Sequence, residues 1–281
     1  MKTFNEWLET NRVRPSIPRA RVRVIGDVHN FVYKPGPPGY SYMDLVEQAE
    51  YSVQVGDMGG EHDGMYSVGV NGGGYNYSPL SRLDPKKHVF IGGNHDNYDS
   101  LPSHHLGDYG VYQFPGFRFF YIRGAWSVNW RSARLMSAKD KRWWPEEEID
   151  ETQVGPALKA YLQERPEIVI THDVPTEILE TLKGGSDKKE KYAQSSLRQA
   201  ERIRRQLSQQ NVQNVPSDDD IPQYLKNVEA GQPSRTNSLL QKVFESWRPK
   251  TWLFGHHHTD WGQMIGGVQF VGLGLLSYMD F

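Results

Sequence analysis

The chain is organised around the stretch Val89-Phe90-Ile91-Gly92-Gly93-Asn94-His95-Asp96. Three apolar residues typical of a buried strand lead into two glycines, and three polar residues follow without a spacer. Glycine lets the backbone turn sharply and lets another group approach it closely. Asn, His and Asp together bind hard or borderline cations and transfer protons. The stretch therefore predicts a strand that ends in a metal-binding or catalytic loop.

Four other predicted strands end in the same kind of residue. Besides 88–91, strands are expected over residues 21–25, 51–55, 167–170 and 251–254, and Asp or His follows each of them. A helix over residues 41–50 joins the first two strands, and this βαβ unit implies parallel neighbours. Ligands of open α/β sheets collect at the carboxyl ends of the strands. We therefore expect the five strand ends to form one site.

These strand ends offer nitrogen and oxygen ligands for two cations. The candidate ligands are Asp27, His29, Asp57, Asn94, His172, His256 and His258. The chain has no cysteine, which excludes disulfides, thiolate zinc sites and cysteine nucleophiles. Two metal ions about 3.5–4 Å apart could share a carboxylate and a water, and a water bound in this way ionises near neutral pH. Such a bridging hydroxide is a nucleophile for the phosphorus of a phosphoester.

Five blocks of the chain resemble, in the same order, the signature blocks of the calcineurin-like metallophosphoesterases. They are Asp27-Val28-His29, Gly56-Asp57, Gly93-Asn94-His95-Asp96, His172 and Gly255-His256-His257-His258. The resemblance implies an α/β fold, a four-layer α-β-β-α sandwich with the dinuclear site at one edge. It also implies a metal-dependent phosphoester hydrolase, acting on a phosphomonoester or phosphodiester.

The same resemblance implies a role for each matching residue. One metal ion would be bound by Asp27, His29 and His258, and the other by Asn94, His172 and His256, with Asp57 bridging the two. His95 would contact the substrate, stabilising the transition state or protonating the leaving oxygen, and Asp96 would orient its imidazole. His257 would be a spacer that points away. The cofactors would be two divalent ions, Mn²⁺ in the first place, with Fe, Zn, Ni or Mg as alternatives.

The length and the composition allow one large core or two modest ones, but the blocks of the resemblance span residues 26–258, so we expect a single domain over residues 1–281. Residues 184–234 differ in composition and carry a helical apolar stripe within 188–210, so we expect a helical lid or cap inserted there. A capping box at residues 3–6 predicts a short helix at the start of the chain. No stretch is typical of a signal peptide or a membrane span, so we expect a cytoplasmic protein without a membrane partner.

The substrate class is only partly indicated by the sequence. Ser/Thr protein phosphatases of the family carry an arginine after the second block and another before Asn-His, and this chain has Met58 and glycines there. The segments 124–128 and 143–146 resemble small bacterial and bacteriophage metallophosphoesterases. Arg123 and Arg131 could bind phosphate and Trp126 could stack on a base, although solvated arginines and a packed tryptophan explain them equally well. A small phosphoester such as a nucleotide is the expected partner.

Two other functions stay open at this point. A nuclease on the same fold would bind nucleic acid with a salt-sensitive affinity, but the formal net charge of −2 gives no overall attraction to a polyanion. A family member that serves only as a scaffold would be expected to lose ligands. Because His95 and all seven candidate ligands are present, the enzyme is favoured over the scaffold.

Overall fold

Two β-sheets and seven α-helices make up the α/β fold that the computed structural model describes. Its described residues are 17–29, 31–33, 35–36, 39–59, 78–136, 143–183, 186–210, 212, 215 and 217–281, with the backbone alone at 132, 136, 183 and 186–196. The strands are β1 Ala20–Ile25, β2 Ala49–Gln54, β3 His88–Phe90, β4 Tyr109–Phe114, β5 Phe117–Ile122, β6 Ile168–Thr171, β7 Thr251–Phe254, β8 Trp261–Ile265, β9 Val268–Gly272 and β10 Tyr278–Asp280. The helices are α1 Tyr42–Val46, α2 Trp130–Met136, α3 Glu151–Glu164, α4 Thr176–Lys183, α5 Ser186–Gln209, α6 Gln223–Glu229 and α7 Arg235–Ser246. The predicted helix at the start of the chain lies outside these residues.

The five strands that precede the candidate ligands are confirmed, and they run parallel within each sheet. The first sheet has the order β10-β1-β2-β3, in which β1, β2 and β3 are parallel and β10 is antiparallel. The second has the order β4-β5-β6-β7-β9-β8, with β5, β6, β7 and β9 parallel and an antiparallel strand at each edge. The carboxyl ends of β1, β2 and β3 therefore share one edge, as do those of β6 and β7.

Three buried clusters explain why most of these strands are apolar on both faces. One cluster combines residues of both sheets, such as Val24 and Val53 with Phe119 and Ile170. The opposite face of the second sheet, which includes Trp252, packs against α3, α4 and α7. The third cluster joins the first sheet to α1. A strand covered on both faces appears as a continuous apolar run, which is the pattern seen in the sequence.

The first crossover helix is shorter than predicted. Ser41 caps it, and its hydroxyl accepts the Asp44 N–H while the Asp44 carboxylate accepts the Ser41 N–H. The predicted capping pair is thus confirmed, but the helix ends at Val46 and β2 begins at Ala49. The predicted end at residue 50 is wrong because the Gln48 carbonyl already accepts the Ala20 N–H, so the chain lies extended along β1 from there.

The run Pro145-Glu146-Glu147-Glu148 is typical of a helix start, and a helical turn does begin at Pro145, although it is short. Pro145–Glu147 form a single 3-10 turn, and α3 begins only at Glu151, after the Asp150 side chain accepts the Thr152 N–H. Glu147 and Glu148 are buried and do not lie at an exposed helix terminus. Sequence reasoning also missed the edge strands β4 and β8, whose half-exposed residues lack a strong apolar pattern.

The residues of the predicted insert pack on α2. Ala200 and Leu207 of α5 contact Leu135, and Ile221 and Leu225 pack with Trp130. The predicted helix over 188–210 is confirmed as α5, and its role as a lid stays a prediction. No helix within the described ranges is long and apolar enough to cross a lipid bilayer.

Candidate metal centre

All seven candidate ligands lie together at the strand ends. Two groups of side chains could each hold an ion, since their ligand atoms lie within 4.8 Å of one another. The first group contains Asp27, His29, Asp57 and His258, and the second contains Asp57, His172 and His256. Asn94 adjoins the second group, because its Oδ1 lies 3.1 Å from His172 Nε2. Asp57 belongs to both groups.

In the first group, nitrogen and oxygen lone pairs converge. The Nε2 atoms of His29 and His258 are 2.8 Å apart. His258 Nε2 is 3.0 Å from Asp27 Oδ2, and His29 Nε2 is 3.5 Å from Asp57 Oδ2. Two imidazole nitrogens this close to each other and to two buried carboxylates need a shared proton or cation between them. The donor set, two carboxylates and two imidazoles, suits Mn, Fe, Zn or Ni.

In the second group, the His172 ring is oriented by the backbone. Its Nδ1 lies 2.9 Å from the Val55 carbonyl oxygen and donates to it, which leaves Nε2 to face the site. Nε2 is 3.4 Å from Asp57 Oδ2. The His256 ring lies edge-on to that of His172, with centroids 5.1 Å apart. A neutral His172 therefore presents a lone pair to any ion held here.

Asp57 is the residue that connects the two groups. Its Oδ1 accepts the His95 N–H at 2.8 Å. Its Oδ2 is buried and makes no hydrogen bond within the described chain, and it faces imidazoles of both groups. A buried carboxylate oxygen without a hydrogen bond is costly unless a cation compensates it. The residues present thus fit a divalent ion in either group, and Asp57 would contribute to both.

The protonation of these groups reflects burial and close opposite charges. Burial alone would lower the pKa of His172, but the carboxylates of Asp57 and Asp27 outweigh it and raise the pKa to about 10. Burial lowers the pKa of His256 to about 3 and that of His95 to about 4. Without an ion, a proton on His172 therefore compensates part of the carboxylate charge.

Four candidate ligands have a backbone conformation that non-glycine residues seldom adopt. The φ angles of His29, Asp57, His256 and His258 are 44°, 57°, 64° and 50°. Only two other non-glycine residues of the described chain, Arg165 and Leu276, have a positive φ. This left-handed conformation costs about 1–2 kcal/mol per residue. Such strain concentrates at functional sites, where the surrounding structure enforces it.

Gly93 and Gly56 lie so close to candidate ligands that neither position has room for a side chain. The sequence predicts this close approach for Gly93. A Cβ on Gly93 would lie 2.2 Å from Asp57 Oδ1 and 2.7 Å from His172 Nε2. A Cβ on Gly56 would lie 2.3 Å from the His172 ring. Any side chain at either position would displace a ligand that the two groups need.

Asp96 connects the loops that carry the ligands. Its carboxylate accepts the backbone N–H groups of Asp57, Gly59 and Gly93 at 3.0, 2.8 and 2.8 Å. These bonds hold the loop after β2 against the loop after β3. Its predicted role in orienting the His95 imidazole stays a prediction.

His257 belongs to neither group of ligand atoms. Its Nε2 lies 3.1 Å from Asp173 Oδ1, and the buried Asp173 carboxylate also accepts the Val174 N–H. Burial alone would raise the pKa of Asp173, but the adjacent His256 and the hydrogen bonds from His257 and the Val174 N–H hold it below its usual range. Asp173 had no assigned role from the sequence, although its position directly after His172 was a signal.

The three residues predicted to contact the substrate differ in their burial and in their hydrogen-bond partners. Arg123 is buried, its Nε donates to Asp108 at 2.5 Å, and a second nitrogen donates to the Glu146 carbonyl. Arg131 makes a bidentate pair with Glu229, at 2.5 and 2.6 Å. Both arginines are thus engaged within the chain, and their predicted substrate contacts stay predictions. Trp126 is half-buried, and its indole N–H has no partner within the described chain.

Sequence reasoning missed a buried pair beside Asn94. Ser127 Oγ accepts from Asn94 Nδ2 at 2.9 Å and donates to Glu147 at 2.7 Å. Burial raises the pKa of Glu147 to about 8, and both of its oxygens accept from Ser127. The acidic run at 146–148 is the signal that could have drawn attention to this pair.

The comparisons with known proteins include a distant structural similarity. No model of a protein family matches the chain, and no curated protein matches it. The chain is similar to the crystal structure of phosphopantetheinyl hydrolase (PptH) from Mycobacterium tuberculosis, with a TM-score of 0.36 and 9% identity. The similarity covers 91% of this chain and 90% of that one. The evidence for function is therefore the site itself.

Replacing Gly93 by alanine is expected to disrupt both groups, because the added methyl would collide with the Asp57 carboxylate. We expect Mn²⁺ affinity to fall at least about tenfold and the free energy of unfolding to fall by about 1–3 kcal/mol. Calorimetric titration with Mn²⁺ and urea denaturation measure the two effects.

The matched control is Gly155→Ala in α3. Nothing lies within 4 Å of a Cβ there, so unchanged Mn²⁺ affinity and a gain of about 0.5–1 kcal/mol in stability are expected. If Gly93→Ala bound Mn²⁺ as tightly as the wild type does, the close approach of Gly93 to Asp57 and His172 would be contradicted.

Mn²⁺ binding is expected to release protons at pH 7. His172 carries a proton there because its pKa is raised to about 10, and a metal ion needs the same lone pair. The apparent affinity should therefore rise between pH 6 and pH 8, by about tenfold per pH unit for each proton displaced. Titration calorimetry in buffers of different ionisation enthalpy counts the protons. A binding enthalpy that is the same in every buffer would be inconsistent with a protonated His172.

Proposed function

We propose that this chain is a metal-dependent phosphoester hydrolase with two divalent ions bridged by Asp57. The observation that carries the proposal is the buried Asp57 Oδ2, which makes no hydrogen bond within the described chain and faces an imidazole of each group. One carboxylate oxygen within reach of two sets of ligands could serve two ions at once. All its ligands are oxygen and nitrogen, so Mn²⁺ is the first candidate, with Fe, Zn, Ni and Mg as alternatives.

Two bound divalent ions would supply Lewis acidity and a water that ionises near neutral pH. The residues of the chain perform the remaining tasks. The carboxylates of Asp27 and Asp57 provide the negative charge that attracts the ions, and the imidazoles of both groups complete the ligand set. The buried strand-end loops limit access of bulk water, which strengthens every electrostatic interaction in the site.

His95 is proposed to contact the substrate. Its backbone N–H is bonded to Asp57, and its ring centroid is 5.5 Å from that of His29 in the first group. Burial lowers the pKa of His95 to about 4, so the imidazole is neutral at pH 7 and offers one N–H donor. This donor can bind a phosphoryl oxygen, whereas giving a proton to the leaving oxygen would require the imidazolium form, which the lowered pKa disfavours at pH 7.

The four-layer α-β-β-α sandwich belongs to the same proposal. A cluster shared by the two sheets, with helices packed on the second sheet and α1 on the first, supports that order of layers. We further propose one domain over residues 1–281, in which residues 184–234 form a cap on α2.

The proposed substrate is a small phosphoester such as a nucleotide. Trp126 supports this choice, because it directly precedes Ser127, which is bonded to Asn94 of the second group. The indole is half-buried against the cluster of Trp130, Ile221 and Leu225, and the part of it that stays exposed could stack on a base or another planar group.

Hydrolysis of p-nitrophenyl phosphate and bis-p-nitrophenyl phosphate tests the proposal. With Mn²⁺ we expect turnover of at least one of the two esters. His95→Ala should reduce kcat by about 10²–10⁴-fold, and Asp57→Asn should remove activity together with bound metal. His88→Gln is the control, since His88 lies on β3 and bonds to Ser52 away from the ligands.

Absence of turnover of both esters with Mn²⁺, Fe²⁺, Zn²⁺, Ni²⁺ and Mg²⁺ would contradict the proposal. Equal activity of the wild type and Asp57→Asn would contradict it as well, because the bridging carboxylate would then have no role.

A further inference from the structure

A chain of buried hydrogen bonds connects Glu147 to the candidate ligand Asn94. Asn94 Nδ2 donates to Ser127 Oγ at 2.9 Å, and Ser127 Oγ donates to Glu147 Oε2 at 2.7 Å. The Ser127 backbone N–H donates to the other oxygen, Oε1, at 3.0 Å. Asn94, Ser127 and Glu147 are each at most 3% exposed. The chain is therefore shielded from water that could replace its bonds.

These bonds have a fixed direction while the Glu147 carboxyl is ionised, which holds above its raised pKa of about 8. Both oxygens of Glu147 accept from Ser127, one from its N–H and one from its hydroxyl. Once the hydroxyl hydrogen is directed to Glu147, the oxygen of Ser127 can only accept from Asn94. The Asn94 amide must then turn its NH₂ group to Ser127 and its Oδ1 to His172, as observed at 3.1 Å.

The direction matters because only Oδ1 of an asparagine can ligate a metal ion. An amide turned by 180° would direct two N–H donors at the second group. We propose that Glu147 is a positioning residue, which acts through Ser127 to keep the Asn94 oxygen directed at the second ion. The inference rests on the proposed function, since it presumes that an ion binds there.

The backbone around Glu147 is held in place by the segment that contains Ser127. The Ala125 N–H donates to the Glu147 carbonyl at 3.1 Å, and Arg123 donates to the Glu146 carbonyl. A Cβ on Gly124 would lie 2.5 Å from the Glu147 carbonyl oxygen, so the two segments are in direct contact. Arg123 thus has a task in this arrangement that needs no contact with substrate.

Titration of metal-free protein with Mn²⁺, buffered above the Glu147 pKa of about 8, tests the inference. Calorimetry gives the affinity of each ion, and electron paramagnetic resonance reports the spin coupling of a bridged pair. For the wild type we expect two ions and a coupled signal. In Ser127→Ala the second ion should bind about ten- to hundredfold more weakly, while the first keeps its affinity.

The variant Glu147→Gln tests the direction of the hydrogen bonds, because it replaces an acceptor by a donor. Its Oε1 would still accept the Ser127 N–H, so its NH₂ would donate to Ser127 Oγ. The hydroxyl could then donate to Asn94 Oδ1, which favours the turned amide. We therefore expect this variant to weaken the second ion more than Ser127→Ala does. Ser127→Thr, which keeps the hydroxyl, should retain wild-type affinity, as should Glu146→Gln at the exposed neighbouring position.

The outcomes separate this inference from the proposed function. If the wild type binds two coupled ions and neither Ser127→Ala nor Glu147→Gln weakens the second one, the positioning role is wrong and the proposed function stands. If the wild type binds no coupled pair of ions, the proposed function is wrong, and the positioning role of Glu147 is overturned with it. If both ions weaken equally, in parallel with the free energy of unfolding, Glu147 supports only the fold and the inference is overturned.

Discussion

Burial of negative charge at the strand ends is the constraint on which the rest of the structure depends. Asp27 and Asp57 are almost completely buried, and the groups opposite them are imidazoles. A buried carboxylate is stable only when a positive charge or several donors compensate it. In the metal-free chain, a proton on His172 supplies part of that charge, and a pair of divalent ions would supply more. The site thus has a physical need for cations before any chemistry is considered.

The loops around the site are arranged to meet this constraint. Asp96 joins the loops after β2 and β3 through three backbone N–H groups. Gln54, at the end of β2, donates from its Nε2 to the Gly26 carbonyl at 3.1 Å and to the Gly56 carbonyl, which joins the loops after β1 and β2. The left-handed backbone at four ligands is the cost of directing them at common points, and the parallel sheets on either side are rigid enough to sustain it.

The strand ends and their ligands could be predicted because both signals are local. An apolar run followed by Asp or His needs only a few residues to be recognised, and β7 lies at 251–254 as predicted. The contacts of Glu147, Arg123 and Arg131 could not be predicted in the same way. Each depends on a partner 15 to 98 residues away, and the pattern around Glu147 is equally typical of a helix start. Edge strands β4 and β8 were missed because tertiary pairing, not an apolar pattern, creates them.

Anomalous X-ray diffraction from crystals grown with Mn²⁺ tests the central claim most directly. The account predicts two anomalous peaks about 3.5–4 Å apart, one on each side of the Asp57 carboxylate. One peak should lie among Asp27, His29 and His258, and the other among Asn94, His172 and His256. A single peak, or peaks only at positions away from Asp57, would contradict it.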